Sequence, residues 1–295
     1  MKIRLISGSC YIALLAAFYC LKIFVHDFFF DALIYAFALI GTFEMLRAVK
    51  EKTTKAERGI VFAFALVCIP VCAIFEWRFK SGALATAATF FLLCVALLSL
   101  LVAKHEETTL ENLGISFLSA VYPTVLLTLL VLTNHTSTAA GLEKFAFNSN
   151  VMILMIFVIS PCADSIAYVF GRFLKKYFPK KMAPKLSPNK TVIGGIGGLV
   201  GGMLGAAALY FIYNATAGSF ADMAIWLPVY LLIGLLTAAA TAFGDLVESC
   251  IKRKVGLKDM GNIMPGHGGA LDRIDGTLFA TIVVYLAFLV IRALV

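Results

Sequence analysis

The chain has 295 residues, of which 61% are hydrophobic and only 14% are charged. Soluble globular domains carry roughly 25% charged residues, so this composition excludes an ordinary water-soluble fold and predicts an all-α, polytopic membrane protein. The net charge of +8 does not indicate a nucleic-acid partner, because the basic residues are spread over loops between long apolar segments.

Nine segments are long and apolar enough to cross the bilayer, since about 20 helical residues span the hydrocarbon core. In chain order they are Ile3–Val25, Phe29–Leu46, Ile60–Glu76, Ala83–Ala103, Leu113–Thr133, Val151–Gly171, Val192–Tyr213, Ile225–Ile251 and Gly276–Val295. The first is longer than the apolar core of a cleaved signal peptide, so we predict that it spans the membrane. We divide the nine spans into two regions, residues 1–150 with five helices and residues 151–295 with four.

The basic residues are unevenly divided between the two faces of a nine-span protein. With the N-terminus in the cytoplasm, twenty of the 25 Lys and Arg residues fall on the cytoplasmic side. This is the positive-inside pattern. Short loops and the absence of a targeting tail favour a bacterial inner membrane, with the polar chemistry facing the cytoplasm.

The first five spans offer few candidate functional groups. Glu44 lies one turn before the cytoplasmic end of the second span, where a long side chain can reach water. We expect a structural role for it there.

The sixth span contains an acidic residue, Asp164. A charged carboxylate at that depth costs at least about 2.5 kcal/mol, so it requires a polar cavity or a partner. Tyr168 and Gly171 follow at i+4 and i+7 and share its helix face. The alternative is a protonated Asp that only fixes helix packing.

A basic loop, Arg172–Lys190, leads into the seventh span. Its Ser187-Pro188 dipeptide predicts a turn. Lys190 and Thr191 then stand at a helix start, where backbone N–H groups favour phosphate. The glycines that follow recur at spacings of four, which predicts close helix packing in lipid more than a nucleotide loop; they are Gly194, Gly195, Gly197, Gly198, Gly201, Gly202 and Gly205.

The end of the eighth span carries a polar stripe. Asp245, Glu248, Ser249 and Lys252 fall at i, i+3, i+4 and i+7, on one side of an otherwise apolar helix.

The next loop contains several residues that could contact a ligand. Pro265, Gly266, Gly268 and Gly269 let the backbone approach a ligand closely, and His267 lies among them. Beyond them, two carboxylates one turn apart begin the ninth span with a basic residue between them: Asp272, Arg273 and Asp275.

Carboxylates and cations in one water-facing pocket suit a metal ion and phosphate groups. Mg²⁺ binds through one or two carboxylates and phosphate oxygens, while Lys and Arg take the remaining phosphate charge. Such groups support phosphoryl-type transfer. The alternative is a network of structural salt bridges, which would not require the Gly-His-Gly-Gly sequence.

The order of these residues resembles the phosphatidate cytidylyltransferases, also called CDP-diglyceride synthases. The longest matching pattern is Ser249-x-x-Lys252-Arg253-x₄-Lys258-Asp259-x₅-Pro265-Gly266-His267-Gly268-Gly269-x-x-Asp272-Arg273-x-Asp275. Two shorter segments also match, Asp164-x-x-Ala167-Tyr168-x-x-Gly171-Arg172 and Ser187-Pro188-x-Lys190-Thr191. The match covers residues 160–276, whereas the N-terminal half resembles the family only in being hydrophobic. Ile193 departs from the pattern, because the family usually has Glu at that place.

The resemblance implies a reaction of CTP with phosphatidate that gives CDP-diacylglycerol and pyrophosphate, with Mg²⁺ as cofactor. It implies that the lipid phosphate attacks the α-phosphorus of CTP without a covalent enzyme intermediate. No nucleic-acid partner is expected. A second cation and a homodimer are left open.

The resemblance also implies roles for individual residues. The expected metal ligands are Asp245 and Asp272, with Asp164 as a further ligand or nucleotide contact. Lys252 and Arg273 join the two aspartates as catalytic residues. The expected substrate-binding residues are Asp164, Tyr168, Ser187, Lys190, Thr191, Ser249, Arg253, Lys258, Asp259, His267, Gly268, Gly269 and Asp275.

Three alternatives remain at this stage. A CTP-dependent lipid kinase of a related family, or another cytidylyltransferase that acts on a different lipid phosphate, would use the same residue types. A transporter is compatible with an intramembrane acid and a glycine-interrupted span, although the unusual polar residues all lie in the second half. The Ile193 departure leaves an inactive scaffold as the third.

Overall fold

The computed structural model describes residues 2–136, 147–217, 223–264, 266 and 268–294. Pro265 and His267, both named above, lie outside the described residues. Within the described part, nine helical segments are long and apolar enough to cross a membrane. The predicted fold class, an all-α polytopic membrane protein, is confirmed.

The helices overlap the predicted spans, with ends displaced by a few residues. They are α1 (Lys2–Phe24), α2 (Phe28–Ala48), α3 (Lys55–Phe79), α4 (Gly82–Ala103), α5 (Leu110–Ala120), α6 (Leu126–Asn134), α7 (Ser149–Leu174), α8 (Val192–Ala217), α9 (Met223–Lys254) and α10 (Leu271–Leu294). A short π-helical segment, Val121–Val125, joins α5 and α6 into one span. Two strands, β1 (Lys181–Ala183) and β2 (Ser187–Thr191), precede α8.

Several helix starts are fixed by side-chain caps. Thr54 and Glu57 form a reciprocal capping box at α3, and Thr109 and Asn148 accept hydrogen bonds from the first turns of α5 and α7. Such caps satisfy backbone N–H groups that have no partner inside the helix. The ends of these spans therefore follow from local sequence.

The chain divides into two compact units. The first comprises residues 1–135 and 254–274 and includes a core of residues from α2 to α5, among them Val61, Phe64, Cys68 and Leu97. The second comprises residues 136–253 and 275–295. Residues 254–274 thus belong to the same unit as the N-terminal helices, and the predicted division at residue 150 stays a prediction.

Buried polar groups join the helix ends in one part of the first unit. Asp31 accepts a hydrogen bond from Asn134 Nδ2 at 2.8 Å and lies 2.5 Å from His135 Nε2. Lys22 pairs with Asp27 at 2.5 Å. Since buried charges need partners, this cluster explains how several polar residues are accommodated at the ends of apolar helices.

In the second unit, glycines bring helices into close contact. A Cβ at Gly201 would lie 2.7 Å from the carbonyl oxygen of Cys162 on α7, and one at Gly202 would lie 2.5 Å from that of Gly234 on α9. Side chains at these positions would force the helices apart. The prediction that the glycine series serves helix packing is confirmed.

The predicted turn at Ser187-Pro188 is wrong. These residues begin β2, and the turn lies at residues 184–186. The strands pair antiparallel, with Lys181 opposite Thr191 and Ala183 opposite Ser187. Pro188 is tolerated because a two-stranded ribbon leaves edge positions where no backbone N–H is needed.

Candidate active site

A cavity of about 830 Å³ opens in the second unit. Its walls come from α7, the β1–β2 hairpin, α8 and α9. Five residues predicted from sequence to bind substrate line this cavity: Asp164, Tyr168, Ser187, Lys190 and Thr191. Asp164 thus has the polar surroundings that its position in the sixth span requires.

The β1–β2 hairpin places Lys190 two residues before the start of α8. Thr191 follows as the residue before the helix, and its Oγ1 accepts a hydrogen bond from Gly194 N at 3.1 Å. Gly171 on α7 lies close to the same hydroxyl, because a Cβ there would be 3.4 Å from it. Thr191 therefore serves first as a helix cap, and the neighbouring lysine is left to reach into the cavity.

Lys190 forms an ion pair with Asp245, in which its Nζ donates to Oδ2. This contact links the hairpin to α9. Burial lowers the pKa of Lys190 below the ordinary lysine value, while the carboxylates of Asp164 and Asp275 offset part of that shift. The structure thus brings together a predicted phosphate ligand and a predicted metal ligand.

The polar stripe on α9 continues this arrangement. Lys252 Nζ donates to Glu248 Oε2 at 2.6 Å, and the Glu248 side chain is only 1% exposed. The carboxyl groups of Glu248 and Asp275 are neighbours, and Asp275 Oδ1 accepts a hydrogen bond from Gly276 N at 2.7 Å. Glu248 was part of the sequence stripe but was not predicted as a site residue, and its burial between two partners is what the sequence could not reveal.

Carboxylates and lysines lie close together in this part of the second unit. Asp164, Asp245, Glu248 and Asp275 accompany Lys190 and Lys252, whose charges act on one another. Among the described residues, no group of three His, Cys, Asp or Glu side chains could hold a metal ion. Mg²⁺ needs only one or two carboxylates when phosphate oxygens complete its shell, so the residues present fit an ion that arrives with a triphosphate.

Among the polar residues that line the cavity, three were not predicted as site residues: Arg172, Lys175 and Asn189. Arg172 Nη1 donates to the Tyr168 hydroxyl at 2.7 Å, and its guanidinium carbon lies 5.9 Å from the ring centroid. Arg172 was visible in the sequence as part of a family segment, and its basic charge beside Tyr168 was the available signal.

In the first unit, Asp272 organises the glycine-rich loop. Its Oδ2 accepts hydrogen bonds from Met260 N at 2.8 Å and from Gly269 N at 2.7 Å. Gly268 has φ of +88°, and a Cβ there would lie 2.7 Å from the same oxygen. Glycine is therefore required at position 268 both by the positive φ and by the close approach of the Asp272 carboxylate. The sequence did not indicate this role.

Glu44 does not extend to water as predicted. It is 2% exposed and accepts hydrogen bonds from Ala270 N at 3.1 Å and Leu271 N at 2.9 Å. These N–H groups begin α10, where the helix dipole favours a carboxylate. The prediction failed because the partner lies more than two hundred residues away in sequence.

The remaining predicted residues are exposed or partly buried. Lys258, Asp259 and Arg273 are exposed in the first unit, Arg253 is exposed and Ser249 is half-buried on α9. Asp245 belongs to the second unit and Asp272 to the first, so their convergence on one metal ion stays a prediction.

Comparison with known proteins identifies relatives of this chain. A model of the cytidylyltransferase family matches residues 2–291. A phosphatidate cytidylyltransferase of Bacillus subtilis (strain 168) is 29% identical over 279 residues, which cover 95% of this chain and 94% of the relative. Two other proteins of that name, from Staphylococcus haemolyticus and Brucella abortus, are 40% and 38% identical over 127 and 151 residues. In those two alignments the chain spans about half of the relatives' length, 45% and 50%.

Proposed function

The chain belongs to the cytidylyltransferase family, and on this premise we propose that it transfers cytidylyl groups from CTP to phosphatidate. The products are CDP-diacylglycerol and pyrophosphate. The observation that carries the proposal is the Lys190–Asp245 ion pair beside a cavity that contains charged and polar side chains among apolar ones, formed by membrane-spanning helices.

The reaction makes one bond and breaks one. An oxygen of the lipid phosphate attacks the α-phosphorus of CTP, and the bond from that phosphorus to the oxygen bridging it to the β-phosphorus breaks. The electron pair leaves with pyrophosphate. Because the attacking phosphate is already an anion, the step needs no general base and depends on positioning and charge neutralisation.

The residues of the second unit are suited to those two tasks. Lys190 and Lys252 neutralise phosphate charge, and Arg172 and Lys175 add positive charge to the cavity wall. Asp245 and Asp164 would hold Mg²⁺, and Asp272 stays a further ligand predicted from the sequence motif. When bound, Mg²⁺ supplies neutralisation of the triphosphate and polarisation of the α-phosphate.

The proposed reaction takes place at the cytoplasmic face of a bacterial inner membrane. Bacterial relatives and nine apolar helices in the described part of the chain support this setting. The surplus of Lys and Arg in alternate loops supports the orientation, and a cytoplasmic site has direct access to CTP.

The decisive experiment supplies purified protein with CTP, Mg²⁺ and phosphatidate and measures both products. We expect CDP-diacylglycerol and pyrophosphate in equal amounts. CDP with a phosphorylated lipid would identify a lipid kinase, whereas solute flux in liposomes without nucleotide turnover would identify a transporter.

The Asp245→Asn variant tests the role of the site. Removing the carboxylate charge should reduce the rate by about 10²-fold or more, with an unchanged helical circular dichroism spectrum. An active Asp245→Asn protein would contradict the proposed site, and a wild-type protein without turnover would indicate the scaffold alternative.

A further inference from the structure

Glu44 supports the glycine-rich loop from a distant part of the sequence. It lies on α2, yet its two carboxylate oxygens accept the N–H groups of Ala270 and Leu271 at the start of α10. Ala270 has no side-chain acceptor, so the helix cannot cap these groups as Ser, Thr or Asp would. The carboxylate of Glu44 performs this task instead.

The loop is shaped to receive that carboxylate. Gly261 and Gly269 both pack directly on the Glu44 side chain, and a Cβ at either position would overlap its oxygens. Both glycines are buried. Because only hydrogen atoms fit there, Glu44 sets how closely the two ends of the loop approach α2.

Glu44 and Asp272 hold the same short segment from two sides. Gly269 donates its N–H to Asp272 Oδ2, while its α-carbon faces Glu44. The next two N–H groups go to Glu44. A displacement of Glu44 would therefore move residues 269–271 and, through them, Asp272.

From this geometry we infer that Glu44 is a positioning residue, which holds Asp272 and the loop residues 260–261 and 269–271 in their working arrangement. The inference deepens the proposed function and rests on it, because it gives Asp272 a part in handling the metal–nucleotide substrate. Outer groups that orient a metal ligand typically change metal affinity by about 10–100-fold when removed.

The test compares Glu44→Gln with Thr42→Val. Gln keeps the shape of Glu but loses the charge and replaces one acceptor oxygen with a donor. Thr42 is also buried on α2 and shares a 2.9 Å hydrogen bond with Thr124, so Thr42→Val removes a buried polar contact without contacting the loop. Both variants are expected to lower the melting temperature.

Two measurements separate positioning from simple stabilisation. Hydrogen exchange of the 260–271 segment should accelerate in Glu44→Gln and not in Thr42→Val. With CTP present and phosphatidate absent, the Mg²⁺ concentration for half of the thermal stabilisation should rise by about tenfold or more only in Glu44→Gln. In turnover, kcat should fall in Glu44→Gln while KM for phosphatidate stays near wild type.

A second variant approaches the same contact from the loop. Gly261→Ala places a methyl group against the Glu44 carboxylate and should reproduce both shifts, so the test survives if Glu44→Gln does not fold. Equal exchange and equal Mg²⁺ dependence in the Glu44, Gly261 and Thr42 variants would overturn the inference. A wild-type protein without CDP-lipid formation would instead overturn the proposed function, while the exchange data would still report on the loop.

Discussion

The roles of Lys190 and Asp245 follow from the contact between them. Both were visible in the sequence as polar residues beside apolar segments, but neither indicates its partner, which lies 55 residues away. The ion pair joins a residue of the hairpin to a residue of α9, and the cavity beside it supplies the neighbouring charges. The pair is therefore the point at which nucleotide phosphates and their counter-ion would compete with the protein's own contact.

The lowered pKa of Lys190 leads to a prediction on pH dependence. A lysine buried in this way loses its proton at a lower pH than an ordinary lysine, so phosphate binding should weaken as pH rises through the lowered pKa. Lys190→Arg keeps its charge at every accessible pH. We expect the alkaline limb of kcat/KM to move to higher pH in Lys190→Arg, with lower activity at the optimum because the planar guanidinium fits differently.

The measurement is a pH–rate profile of both proteins, with matched ionic strength. The same group also affects stability with a definite sign. Between the lowered pKa and the ordinary one, the unfolded chain binds the proton more strongly than the folded protein, so the Lys190 contribution to stability improves as pH rises. Identical alkaline limbs in the two proteins would show that another group limits the rate.

At the level of elements, the approach of α8 to α7 and α9 depends on positions without side chains. The α8 glycines contact backbone atoms of both neighbours, which allows dispersion contacts that lipid cannot match. This close packing forms one wall of the cavity, since Gly194, Gly195 and Gly198 line it. The glycine series thus serves the site indirectly by bringing helices together.

Gly202→Ala tests this packing. The added methyl group would meet Ala238 and Gly234 of α9, and overpacking of this kind costs about 1–3 kcal/mol. We expect a lower melting temperature in detergent and a reduced rate, since the cavity wall shifts.

Gly114→Ala on α5 provides the matched control. Its new methyl group has no neighbour within 4 Å, so helix propensity should stabilise the protein by up to about 1 kcal/mol. A melting temperature for Gly202→Ala equal to that of Gly114→Ala would contradict close packing at this crossing.

At the scale of the whole molecule, the alternation of basic loops defines how the chain enters the membrane. Successive spans α2 and α3 are separated by a loop with Lys50 and Lys52, and α3 and α4 by a loop with Lys80. The positive-inside pattern places the first loop in the cytoplasm and the second outside it.

Reporter fusions test this orientation. Green fluorescent protein fused after Lys52 should fluoresce, whereas the same fusion after Lys80 should be dark and an alkaline phosphatase fusion there active. The opposite result would show that the orientation is reversed. The site would then have no access to cytoplasmic CTP, which would contradict the proposed function.

The amino-acid sequence by itself determined the membrane class, the nine spans and the candidate residues, because these depend on local composition and on residue order. Apolar length fixes a span wherever it occurs, and the glycine spacing already indicated close packing. The motifs alone indicate Asp164, Tyr168, Ser187, Lys190 and Thr191, all of which line the same cavity.

Only the tertiary structure decided which partner each polar group meets. Glu44 appeared free to reach water, yet it caps α10; Glu248 appeared to be one of a stripe, yet it lies buried between Lys252 and Asp275. Long-range hydrogen bonds and ion pairs join residues remote in sequence, and no local pattern specifies the pairing, because it is selected by the cost of burying each charge alone.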